Sequence, residues 1–544
     1  MITYIYNIIR LRLGVFSFLL PLSSFLVATF LVTSCSLDEN PRDQIPEEEV
    51  YTTKDALFLN TVATLYNYIG GVDEGQGLQG AVRGVYDLQT FGSDEAMLPT
   101  RGGDWYDGGL WQHMYRHSWT AGHDLPKNAW LYLYKVITLC NRSLELLETH
   151  KSLLSEQELT NYSAEVRALR AIYYWYLIDL FGPVPLVTST QVSMQDVTQT
   201  PRAQVFQFAV DELKASLVDL PYKNSVHIGD YYGRVTYPVA LFVLAKLMLN
   251  AEVYSGTPHW QEVIDYCDLI ENMGFELESH YRNNFLVQNE NSVENIWTIP
   301  MDKHLYSNQQ QNLYRTYHYR HAAAYGFTGE NGSCATKRTL EIFGYGTDDV
   351  DERFHENYWS DRVWDLNMND ILDRTGKPLV YYPNEVALDL SDSPYVETAG
   401  ARMRKYEVDP NATKDGKLMD NDIVLFRYAD VLLMRAEAKF RLGGANYQGE
   451  KGGTAQDDFD AIRLRAGMAT RPVTLQNLLD ERLLELCWEG WRRQDLIRFG
   501  QYRSLYHGET GAPVVDESDG HTSLFPIPAD VMALNHNLKQ NSGY

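Results

Sequence analysis

The chain has 544 residues, 44% of them apolar and 22% charged, with a formal net charge of −25. This composition excludes a disordered or fibrous protein, and the length permits a large core. The acidic balance repels nucleic acid and anionic lipid, which leaves neutral ligands, cationic ligands or another protein as partners.

The first element lies at the N-terminus. Arg10 and Arg12 supply positive charge, Leu13 to Leu31 an apolar run, and Thr33 and Ser34 lead into Cys35. That order predicts a secretory signal with a cleavage site. A Cys at the cleavage position resembles a bacterial lipobox. The resemblance implies a signal peptide over residues 1–34, cleavage before Cys35 and lipid on its thiol. A transmembrane helix also fits the length. However, Ser17, Pro21, Ser23, Ser24 and Thr29 interrupt the run, and a span leaves the Cys unexplained. Residues 35–50, with Glu47, Glu48 and Glu49 in succession, read as a polar, acidic tether. Acidic residues behind a lipidated Cys resemble the surface-export signal of Bacteroidetes lipoproteins, which implies a body facing the cell exterior.

Beyond the tether, helical periodicity dominates. In residues 164–181, Val166, Leu169, Tyr173, Tyr176, Leu177 and Leu180 fall on one face, and Gly182 and Pro183 stop the helix. Further helices are predicted over 202–220, 236–254 and 260–273. Helices of this length joined by short turns resemble tetratricopeptide units, which stack into a solenoid because one pair cannot bury its own face. Residues 51–274 therefore read as an N-terminal helical region. From 275 to 420 the periodicity fails, with one short strand expected at 295–299. Helices resume over 422–442, 456–466 and 474–499, and residues 275–544 read as a C-terminal region. The predicted class is all-α: a tetratricopeptide-like helix-pair solenoid with a loop-rich second half.

Five cysteines occur, widely spaced, with no CxxC and no Cys/His cluster, so zinc is not expected. Cys140, Cys267 and Cys487 lie in helical patterns and read as small core residues. The chain is unusual in carrying 37 Tyr and 11 Trp. Such rings suit sugar faces and protein interfaces equally well.

Four stretches together resemble the SusD/RagB family of outer-membrane lipoproteins: AEVRALRAIYYWYLIDLFGPVPLV at 164–187, NDIVLFRYADVLLMRAEAKFRLGG at 421–444, LLDERLLELCWEGWRRQDLIRFG at 478–500 and LFPIPADVMALNHNLKQNSGY at 524–544. The resemblance implies a non-catalytic, surface-exposed binder of oligosaccharides, held to the outer membrane by lipid. It also implies a SusC-like TonB-dependent transporter as partner, with no cofactor. A binder of peptides or glycoproteins on the same fold is the alternative. The four stretches themselves read as scaffold, and Glu485, Glu489, Arg492 and Arg493 as an ion-pair network along one helix.

Residues 93–111, SDEAMLPTRGGDWYDGGLW, differ in kind. Gly102, Gly103, Gly108 and Gly109 permit unusual backbone geometry, and Arg101, Asp104, Trp105, Tyr106, Asp107 and Trp111 stand beside them. A flat ring flanked by donors and acceptors is what sugar recognition needs. In the starch-binding member of the family an aromatic platform follows an Asp-Glu pair, here Asp94 and Glu95, and the resemblance carries that role to Trp105 first. Trp111 fits the start of a helix toward His113, Tyr115 and Trp119 as well as it fits a ligand contact. The resemblance places a second platform within 314–331, where Tyr325 and Phe327 are the candidates. A tyrosine-rich loop packed on the solenoid explains these rings equally. His113 and His117 have helical i, i+4 spacing, but the HExxH glutamate is missing and no metal site is predicted. The acidic cluster Asp348, Asp349, Asp351 and Glu352 does not by itself make a hydrolase.

Overall fold

The computed structural model describes residues 47–70, 75–79, 81–221, 229, 231–305, 311–413, 416–505 and 515–544. The signal sequence, Cys35 and most of the tether lie outside them. Residues 53–544 form one unit.

Helices build the frame. Asp124–Thr149 packs against Glu156–Phe181, which packs against Arg202–Ser216. In a second run, Tyr237–Leu249 packs on Trp260–Glu271, that helix on Tyr428–Gly443, and that on Ala455–Arg465. The stack therefore continues across the 275–420 segment. Loop-rich chain is inserted between two neighbouring helices, and the all-α class holds.

Local chemistry sets the helix ends. Ser155 and Glu158 form a reciprocal capping box at the start of Glu156–Phe181. Gly182, at φ 70°, ends it where an added Cβ would meet the Leu524 side chain at 2.7 Å. From Ala164 onward this helix is buried on every side except at Arg167. The apolar face read from its periodicity is therefore only part of its contact surface. Helices flank it on two sides, and the Phe525 amide bonds the Leu180 carbonyl.

Two expected helices are corrected. Residues Ile423–Arg427 form a strand antiparallel to Asn295–Ile299, with Ile423 opposite Ile299, and the helix starts only at Tyr428. A short apolar run of Ile, Val, Leu and Phe fits a buried strand as well as a helix. The segment 474–499 is two helices, Leu475–Leu486 and Arg492–Arg498. Between them Trp488 and Gly490 take positive φ. Cys140, Cys267, Cys334 and Cys487 are free and buried.

That break reshapes the predicted ion pairs. Glu485 meets Arg353 at 2.8 Å and also pairs with Arg427 and Arg465. Glu489 meets Lys405 at 2.7 Å and Arg427 at 2.8 Å. Arg492 turns to Asp94, and Arg493 to Asp179 at 3.1 Å. The network exists, but it joins distant segments instead of running along one helix. Burial alone would raise the Glu485 carboxyl; Arg465, Arg427 and Arg353 hold it well below the usual range.

Arg427 is fully buried against three carboxylates, those of Glu294, Glu485 and Glu489. Arg427→Met removes the cation that these three share, and is expected to cost about 3–5 kcal/mol. Urea denaturation measures this. Lys151→Ala, which removes an exposed pair with Glu148, is expected to leave the midpoint nearly unchanged.

Candidate functional site

The glycine-rich segment is held at both ends. Ala96–Met97 pairs with Cys334–Ala335. Arg101 and Asp104 exchange backbone hydrogen bonds of 2.9 and 3.1 Å across Gly102 and Gly103, with Gly102 at φ 64°. The chain then passes through Trp105, a non-glycine residue at φ 61°, and through Gly108 and Gly109 into the helix Leu110–Tyr115. Positive φ at a Trp is uncommon and is sustained only where the surroundings fix it.

They do fix it. The Trp105 indole Nε1 donates to the Glu330 carbonyl at 2.8 Å. Its ring lies against Gly332, where a Cβ would fall 2.8 Å from Cε2 and Cζ2. Trp111 meets it edge to face, with ring centres 6.2 Å apart. The Trp111 Nε1 donates to Asp107 at 2.9 Å, and Asp107 pairs with Arg83 at 2.6 Å.

These groups border a cleft of about 610 Å³. Asp104, Trp105, Asp107 and Trp111 line it from one segment, and Tyr314, Arg315, Tyr319 and Glu330 from another. Lys417 and Arg83 complete the polar rim. Tyr319 donates its hydroxyl to Asp104. Arg315 grips buried Asp87 with two bonds of 3.0 and 2.9 Å. Lys417 sits 4.4 Å from the centre of the Tyr314 ring. The arrangement offers aromatic surface beside acceptor carboxylates and phenols.

Four residues singled out from the sequence lie elsewhere. Arg101 is buried outside the lining. Its guanidinium donates to the Val396 and Ala399 carbonyls, both at 2.9 Å, and reaches Gly332 O at 3.4 Å. Burial and then the neighbouring Arg402 push its pKa down to about 9. Phe327 packs edge-on against Tyr317 and beneath Gly416. Tyr325 stands against His321 and Trp359 and donates to the Trp364 carbonyl. Both belong to a separate aromatic cluster. Tyr106 is 55% exposed and is not among the lining residues. Trp111 is 2% exposed, so its role in the core and its place in the cleft wall coincide.

Sequence reasoning missed Arg83, Arg315 and Lys417. Within 314–331, Tyr314 and Tyr319 reach this cleft, and Tyr325 and Phe327 do not. The helices Gln311–Thr316 and Tyr319–Ala324 fix these positions in a stretch that reads as loop. The His113/His117 pair also dissolves. Its helix ends at Tyr115, His117 takes φ 53°, and His117 bonds Glu517 and Gly92 O while His113 bonds Ser118. Among the described residues no group of three or more His, Cys, Asp or Glu could hold a metal ion.

The loop is also tied to the ion-pair network. Asp94 pairs with Arg492, and Glu95 accepts the Trp488 amide. The frame is a helix-pair stack with an aromatic cleft between residues 82–111 and the inserted segment, and comparison with known proteins places it. Residues 274–544 match the SusD family, and residues 39–249 match a family described as starch-binding and associating with the outer membrane. The starch-binding protein SusD of Bacteroides thetaiotaomicron is 25% identical over 94% of this chain and 96% of its own. A SusD-like protein from Bacteroides fragilis superposes with a TM-score of 0.71 at 19% identity, covering 93% of this chain and all of that one. Surface glycan-binding protein A from B. thetaiotaomicron, solved with laminarihexaose, gives 0.68 at 20% identity, covering 90% of this chain and all of that one. The chain belongs to the SusD family.

Burial pushes the Glu95 carboxyl up to about 8, against the Trp488 amide and the Lys405 and Arg492 charges that lower it. A raised carboxyl contributes stability that is present below its ordinary value of 4.5 and is lost as pH rises through about 8. The stability of the natural protein relative to Glu95→Gln is therefore expected to fall between pH 5 and 9. Urea midpoints across that range check it.

Proposed function

We propose that this chain is a lipid-anchored protein of the outer membrane, facing the cell exterior. It captures an oligosaccharide in the Trp105 cleft and delivers it to a SusC-like TonB-dependent transporter. It breaks no bond in its ligand. The observation that carries this reading is the fixed Trp105 ring. Its indole edge is anchored to Glu330 and its ring to Gly332, and it stands among hydroxyl-binding groups. A sugar ring stacks its C–H face on such an aromatic, and its hydroxyls donate to Asp104, Asp107 and Glu330. The starch-binding and laminarihexaose-bound relatives support glycan as the ligand class. The lipobox-like run ending at Cys35 and the outer-membrane description of the matched family support the location.

Native gels containing starch, laminarin or glucomannan test the ligand. One of them is expected to retard the protein, and Trp105→Ala to weaken binding at least tenfold, about the loss of one aromatic anchor. Gly332→Ala, which displaces the ring without removing it, is expected to weaken binding as well while the unfolding midpoint changes little. The oligosaccharide is expected to be recovered intact. Retardation by cationic peptides and by no glycan would overturn the reading. Separately, Cys35→Ser is expected to abolish incorporation of labelled palmitate and release the protein from membranes.

A further inference from the structure

The charges lining the cleft are unequal in their availability. Each cation already has a carboxylate. Arg83 meets Asp107 at 2.6 Å, and Arg315 is held by Asp87 through its two terminal guanidinium nitrogens. Lys417 approaches Glu330 at 3.9 Å. Asp104 receives a phenol, that of Tyr319, in place of a cation. Among the described residues, the three lining carboxylates of Asp104, Asp107 and Glu330, with buried Asp87 behind them, therefore stand against three lining cations. An ionised carboxylate is acceptor-only, so the group that complements Asp104, Asp107 or Glu330 is a donor. A sugar hydroxyl is such a donor. A uronate carboxylate or a sulfate ester is not, and entering the cleft it would meet like charge with every lining cation engaged.

We infer that the cleft selects uncharged oligosaccharides and rejects those carrying carboxylates or sulfates. The inference rests on the glycan-binding reading above and names the ligand class of the same site. The net charge of −25 also repels anionic polymers, but that long-range effect is screened by salt. Direct contact inside the cleft is screened much less. The Lys417–Glu330 pair is the most solvent-exposed of the three, with side chains 31% and 37% exposed. It is the pair whose alteration would most simply open a place for an anion.

The test takes whichever of starch, laminarin or glucomannan retards the protein and compares it with the same polymer oxidised at its primary hydroxyls to carboxylates. Linkage and chain length are thereby kept. In 0.5 M NaCl the oxidised polymer is expected to bind at least tenfold more weakly. Glu330→Gln is expected to recover at least threefold of that loss by releasing Lys417. Equal binding of both polymers overturns the selectivity while glycan binding stands. So does retardation by polygalacturonate or alginate alone. Discrimination that vanishes in 0.5 M NaCl assigns the effect to overall charge and overturns the role of the cleft. An unchanged ratio of unmodified to oxidised polymer binding in Glu330→Gln does the same. Failure of every polysaccharide, neutral or anionic, removes the glycan-binding reading and this inference with it.

Discussion

The buried guanidinium of Arg427 ties three separate stretches of the chain together. It ends one strand of the Asn295–Ile299 and Ile423–Arg427 pair and is shared by Glu294, Glu485 and Glu489. A buried cation has few places to go, and each carboxylate it recruits fixes another stretch of chain. Arg353 repeats the pattern with Asp351, Glu481 and Glu485. Such clusters contribute little net stability compared with apolar packing, because desolvation offsets the attraction. What they impose here is registry. The inserted segment, the strand pair and the closing helices meet in one arrangement because other arrangements strand a charge.

The cleft inherits that registry. Its glycine-rich loop begins at Asp94 and Glu95, which bind Arg492 and the Trp488 amide at the interruption between Leu475–Leu486 and Arg492–Arg498. Arg101 then holds the loop to three carbonyls of the 332–399 segment. Trp105 is thus set before any ligand arrives. A ring already in place loses little rotamer freedom when a ligand stacks on it. The uncommon φ at Trp105 belongs to the same account: the strain is sustained by the Glu330 carbonyl and by the room that Gly332 leaves.

The sequence was legible where one principle acted alone. The helices at 202–216, 260–271 and 455–465 follow from periodicity and breakers to within a few residues, as does the strand Asn295–Ile299. It misled where tertiary contacts decide. The run at 423–427 becomes a strand because Asn295–Ile299 lies beside it, and the helix at 474–499 breaks where Lys405 takes the Cys487 carbonyl and Glu95 the next amide. The 26-residue helix Asp124–Thr149 was not delimited at all. In the cleft, Asp104, Trp105 and Trp111 come from one glycine-rich stretch, which composition marks. Arg83, Arg315 and Lys417 come from three separate stretches, and no local signal joins them.

The abundance of Tyr shows why composition neither chooses between a sugar site and a protein interface nor locates either. Tyr132 and Tyr173 bond one another in the core, Tyr254 bonds Asp179, and Tyr281 lies within the Arg427 cluster. These phenols are interior polar groups with partners, and burial raises their pKa values. Tyr317 likewise bonds Trp359 beneath the cluster that holds Tyr325 and Phe327. A count of rings cannot separate such residues from a stacking platform. The separating property is a ring whose polar edge is satisfied by protein while part of its surface stays open to the cleft. Trp105 has it: Nε1 is committed to the Glu330 carbonyl, and the residue remains only half-buried. Trp111 has the committed Nε1 but almost no open surface. Tyr106 has open surface but lies outside the lining. In the proposed glycan-binding role, recognition therefore rests on one ring and the carboxylates around it.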